Sequence, residues 1–163
     1  MRICLHQPDI AGNVGTILRL AACLGVGVDI VEPCGFPFSD RALRRAGMDY
    51  ADRTEIRRHA DWDAFRHATP GRIVLLTTAG GTRLDETRFA ANDIVLMGAE
   101  GSGVPPHVHD AAALRVRIPM RAGYRSLNVA VAAGIALAEA LRQTAGWPAD
   151  PALASASAPG MKA

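Results

Sequence analysis

Cysteine is scarce in this 163-residue chain: Cys4, Cys23 and Cys34 are odd in number, far apart, and never form a Cys-x-x-Cys pair. A disulfide framework and a zinc site are both disfavoured, and thiols buried in a reducing compartment are the better reading. Aromatic residues make up only 5%, and the charges nearly cancel, at a net +2. So mild a balance permits a nucleic-acid partner without arguing for one. No apolar run is long enough to span a bilayer, and the opening "MRICLHQPDI" is too short and polar for a signal peptide. The chain reads as soluble and cytoplasmic.

The usual phosphate cradles are missing as well. No Gly-Lys-Ser/Thr occurs, which excludes a Walker loop. A Gly-x-Gly-x-x-Gly fingerprint started at Gly101 runs through Gly103 and fails at Pro106. Yet "IVLMGAEGSGVP" at 94–105 ends an apolar run in three glycines with Glu100 among them. So little side-chain bulk favours close approach by a backbone or a ligand.

Aliphatic residues and alanine dominate what is present. Strand-like runs recur at 2–6, 28–32, 72–78, 93–98 and 114–119, with helical patterns at 13–24, 40–47, 61–68 and 126–143. The alternation predicts an α/β fold, a mainly parallel sheet with helices on both faces. Such sheets bind ligands beyond the carboxyl ends of their strands, where the Gly98 loop, His6–Asn13 and Pro119–Ser126 all fall. Residues 1–147 read as one domain. The Pro/Ala/Ser-rich residues 148–163 read as a disordered tail.

The last helical stretch, "SLNVAVAAGIALAEALR", is apolar around nearly its whole circumference. A helix of that kind is buried on all sides, and in so small a chain the second cover can be another subunit. Ala130, Ala132, Ala133 and Gly134 would let a partner backbone come close. A homodimer is expected.

Three segments now line up: "PDIAGNVGTILRLAACLG", the Gly98–Pro105 loop, and "RIPMRAGYRSLNVAVAAGIALAEA". In order and spacing they resemble the SPOUT superfamily of RNA methyltransferases, in the branch that methylates ribose 2′-hydroxyls. The stretch "VEPCGFPFSDRALRRAGMDY" is similar to one in the tRNA wobble-nucleotide (cytidine or uridine) 2′-O-methyltransferases. The resemblance implies a C-terminal trefoil knot, S-adenosylmethionine as methyl donor, tRNA as substrate and an obligate dimer. Periodicity alone would argue against a knot. Two segments depart from the wobble enzymes: Ala99 and Ser102 stand where proline and arginine are usual, and Val129, Ala130 and Val131 follow Asn128. Both look more like the wider 2′-O-methylating branch, so the same chemistry on another tRNA or rRNA nucleotide is the alternative. A non-catalytic RNA-binding dimer is the rival from another class.

Carried over by motif, the cofactor residues are Leu76, Thr77, Gly98, Glu100, Gly103, Ile118, Met120, Ser126, Leu127 and Asn128. The catalytic candidates are Arg19 and Asn13. By itself Arg19 reads as an arginine whose stem packs while its head reaches water. The resemblance makes it catalytic, though a guanidinium with a pKa above about 12 is an awkward base. Orienting a phosphate and stabilising negative charge on the attacking oxygen suits it better. Asn13 could cap its helix or hold the nucleotide. Ser126 by itself reads as the cap of the last helix, and Glu100 as a carboxylate in a solvated turn.

Basic clusters at Arg41, Arg44 and Arg45, at Arg57 and Arg58, and at Arg121 and Arg125 read as solvated faces or as phosphate contacts. Arg121, Arg125, Arg44 and Arg45 are the RNA-binding candidates, and Tyr124 could stack on a base. His107, His109 and Asp110 suggest a surface helix rather than a metal site, since i and i+2 point apart. No metal is expected. His6 reads as a packed histidine by default.

Overall fold

The computed structural model describes residues 1–37 and 55–149. Seven strands form one sheet: β1 (Arg2–His6), β2 (Gly27–Val31), β3 (Ile56–His59), β4 (Ile73–Leu76), β5 (Thr82–Arg83), β6 (Ile94–Met97) and β7 (Leu114–Arg117). The order across it is β3-β2-β1-β6-β4-β7-β5, and every neighbouring pair is parallel. Four α-helices are described: α1 (Ala11–Leu24), α2 (Trp62–Ala68), α3 (Pro106–Ala111) and α4 (Val129–Gln143).

Successive side chains of a strand point to opposite faces, so apolar runs such as "RICLH" and "IVLL" feed two cores at once. Ile3, Leu5, Val74, Leu76, Val95 and Met97 pack with Ile17 and Leu18 of α1 and Leu137 and Leu141 of α4. Cys4, Ile73, Leu75, Ile94 and Leu96 pack on the other face with Phe65 of α2 and Val108 of α3. The expected two-sided parallel sheet is what forms.

The elements differ from expectation where local signals conflict. β3 was not foreseen, because "IRRH" places two exposed arginines on an edge strand. Arg57 pairs with Glu55 and Arg58 with Glu32, so both lie in ion pairs at the sheet margin. β5 is too short to announce itself. The last helix begins at Val129, not at 126, and Asn128 caps it: its Oδ1 accepts from the amides of Ala130 (2.9 Å) and Val131 (3.3 Å). Asn128 leaves two amides within reach, and Ser126 lies outside the helix. The helix expected at 40–47 lies outside the described residues, as do Arg41, Arg44, Arg45 and all but the first two residues of the 148–163 tail.

α4 is not covered on all sides in the single chain. Ala133, Ala136, Leu137 and Ala140 are fully buried, whereas Val131 is 52% and Ile135 39% exposed. No helix of the described residues is long and apolar enough to cross a membrane.

Candidate active site

Parallel strands end together, and the carboxyl ends of β1, β6, β4 and β7 stand side by side. The segments leaving them, together with the start of α4, enclose a cavity of about 720 Å³. That size suits a cofactor-sized organic molecule.

The glycine loop forms one wall. After β6 the chain folds into a tight bridge in which the Ala99 amide donates to the Gly103 carbonyl (3.0 Å) and the Gly103 amide to the Ala99 carbonyl (2.8 Å). Gly103 takes a φ of +69°, and a Cβ on Gly98 would lie 2.5–2.9 Å from three backbone atoms of Gly103. No side chain fits at Gly98, so the loop can only close around glycine.

A chain of hydrogen bonds ties this loop to the two helices. Asn13 Nδ2 donates to Glu100 Oε1 at 2.8 Å, and Asn128 Nδ2 donates to Asn13 Oδ1 at 2.9 Å. Asp9 adds a clasp: its carboxylate accepts from the amides of Glu100 (3.0 Å) and Gly101 (3.2 Å), and its own amide donates to Glu100 Oε2 (3.3 Å). Burial pushes the Glu100 carboxyl above its ordinary range, with the Asp9 side chain adding to it. Asp9, bonded to the Glu100 side chain and to the loop amides, is held below its own.

All ten residues expected to touch the cofactor line the cavity, with Asn13 and Arg125. Arg19 and Arg121 are exposed and do not line it. On α1, Arg19 lies six positions after Asn13, which turns it about 120° around the helix. Tyr124 is exposed beside Arg125. His6 is buried, edge-on to Trp62, and stands apart from the cavity lining. Among the described residues, no three His, Cys, Asp or Glu come together to hold a metal ion.

The cavity fits S-adenosylmethionine on its own features. Gly98 leaves no room for a Cβ, so that wall is backbone without side-chain bulk, and Leu76, Ile118, Met120 and Leu127 supply apolar wall. Residues 1–138 match the model of the SpoU rRNA Methylase family.

The chain belongs to that family. A relative from Ancylobacter novellus named tRNA (cytidine(34)-2'-O)-methyltransferase is 51% identical over 150 residues, covering 90% of this chain and 95% of the relative. A solved structure described as "Structural insights into the 2-OH methylation of C/U34 on tRNA" superposes with a TM-score of 0.83 at 39% identity, covering 87% and 94% of the two chains. The AdoMet-bound rRNA methyltransferase from Sinorhizobium meliloti superposes at 0.77 with 32% identity, over 86% of this chain and 55% of that one. The resemblance read from three motifs therefore holds for this SpoU methylase.

Sequence reasoning missed the Asp9 clasp behind the glycine loop and parts of the cavity wall. Asp9 was passed over although "PDIAGN" places it four residues before Asn13. His109, assigned to a surface helix, lines the cavity from α3, and Ile10 lines it from the start of α1. His109 lies outside the three motif segments, and Ile10 stands in the first without a role assigned to it.

Proposed function

We propose that this SpoU methylase transfers a methyl group from S-adenosylmethionine to the ribose 2′-hydroxyl of the wobble nucleotide, cytidine or modified uridine 34, of tRNA. The observation that carries the reading is the Glu100–Asn13–Asn128 chain of hydrogen bonds, which joins all three motif segments at one cavity.

When bound, the cofactor supplies a methyl group already activated on a sulfonium, so the protein's task is positioning and charge. Leu76, Thr77, Gly98, Glu100, Gly103, Ile118, Met120, Ser126, Leu127 and Asn128 would hold it. Asn13, fixed from both sides, presents a rigid amide to the ribose. Arg19 orients the neighbouring phosphate and stabilises charge developing on the 2′-oxygen. Arg121, Arg125, Arg44 and Arg45 serve as phosphate contacts, which makes RNA binding salt-dependent.

Arg19 reaches this cavity most simply from a second copy. The exposed Val131 and Ile135 lie on the helix that gives Val129 and Ala132 to the cavity wall. A homodimer seated on that stripe would cover it and complete the site. The reading includes a trefoil knot in the C-terminal part. It is supported by a strand order that puts β7 beyond β4 while α4 returns to pack on α1. Residues 1–147 form one methyltransferase domain in this reading, with 148–163 outside it, and the enzyme works in the cytoplasm.

The test is incubation with labelled donor and bulk tRNA, followed by mapping of the methylated nucleotide. Label on ribose 34 is expected. Label on another tRNA or rRNA nucleotide would keep the chemistry and move the target. Donor binding without transfer to any RNA would favour a non-catalytic RNA-binding dimer.

A further inference from the structure

Asp9 stands in the first motif segment with no role assigned to it, yet its carboxylate accepts from two amides of the glycine loop and its own amide donates back to Glu100. We infer that Asp9 is a positioning residue, holding the glycine loop in its donor-binding shape and coupling that shape to Asn13. The inference rests on the cofactor reading above.

The geometry is reciprocal. Both carboxylate oxygens of Asp9 are used, Oδ1 by the Glu100 amide and Oδ2 by the Gly101 amide. The Asp9 amide in turn engages Glu100 Oε2, leaving Oε1 for Asn13. Glu100 is thus fixed by backbone and side chain together. One residue sets both the cofactor wall and the asparagine that faces the ribose.

Asp9 is itself held in place from behind. The Gly35 amide donates to the Pro8 carbonyl at 2.9 Å, and a Cβ on Gly35 would come within 2.9 Å of Asp9 Cα and Cβ. Gln7, at a φ of 48°, makes the turn out of β1 that aims this segment at the loop. A carboxylate is the right group here because it offers acceptors only, on two oxygens, to two donors. An amide keeps one acceptor and sets an N–H₂ against a backbone N–H.

The experiment measures S-adenosylhomocysteine binding by calorimetry, and thermal melting, for the full chain and for Asp9→Asn, Asp9→Ala and Asp9→Glu. Loss of one charge-assisted hydrogen bond should weaken binding about tenfold in Asp9→Asn, and more in Asp9→Ala. Asp9→Glu, which keeps both acceptors, should return to within about threefold of the parent, with melting temperatures nearly unchanged throughout. Unaltered affinity in Asp9→Asn, or a loss that Asp9→Glu does not restore, would overturn the inference. A parent that bound no S-adenosylhomocysteine would remove the cofactor reading itself, and this inference with it.

Discussion

Asn128 and Asn13 stand 115 positions apart in the chain, yet the Nδ2 of the first donates to the Oδ1 of the second at 2.9 Å. The same Asn128 uses its oxygen to cap α4. One side chain therefore does two separable things, capping the start of a helix and orienting Asn13.

Asn128→Asp separates them. An aspartate caps as well as an asparagine but cannot donate to Asn13. Stability should stay within about 0.5 kcal/mol of the parent, while kcat falls sharply because Asn13 loses its fixed orientation. Asn128→Ala loses the cap as well, about 1 kcal/mol and a few degrees of melting temperature. Parallel melting curves and single-turnover rates check both.

The glycine loop makes a second contrast. Gly98→Ala drives a Cβ into the Gly103 backbone at 2.5–2.9 Å, so the Ala99–Gly103 bridge must open. We expect about 1–3 kcal/mol of destabilisation and donor affinity reduced at least about tenfold. Gly103→Ala meets open space and pays only for its φ of +69°, about 1–2 kcal/mol. Its loss of affinity should be the smaller. Equal losses would mean that loop shape is not what binds the donor.

Much of this was legible before the fold. Buried parallel strands are continuous apolar runs, which is why β1, β4 and β6 were readable, and motif spacing found the cavity walls. β3 was hidden because its arginines belong to an edge. The start of α4 was misplaced because Ser126 and Asn128 are both capping residue types, and only the backbone path decides between them. Asp9 was invisible for a deeper reason: its partners lie 91 and 92 positions away. Which two loops meet is fixed by strand order, not by local pattern.

A composite site predicts complementation. Arg19→Ala and Asn13→Ala should each lose roughly 100-fold or more in kcat. Arg19→Lys should lose most activity too, since the planar fork is gone. Mixed and re-associated, the two alanine variants form hybrids in which one of two sites is intact, and activity should recover to a substantial fraction of the parent. No recovery from verified hybrids would place Arg19 in its own chain's site.

His6 gives a pH dependence of stability. It is 2% exposed, its Nδ1 has no hydrogen-bond partner among the described residues, and Trp62 stands edge-on at 5.8 Å. Burial, and then the charge of His107, hold its pKa below 6.5. A depressed pKa means that the folded form keeps His6 neutral while the unfolded chain takes up the proton first. The contribution is present above about 6.5 and is lost as the pH falls through the depressed value. The melting temperature of the parent should therefore fall between about pH 7 and pH 5 more steeply than that of His6→Leu. Identical slopes would contradict it.

The most direct measurement uses two tRNA transcripts that differ by one oxygen, one with ribose and one with 2′-deoxyribose at nucleotide 34. With labelled S-adenosylmethionine, the account predicts one methyl group per molecule on the first and none on the second. Equal labelling of the two would contradict it.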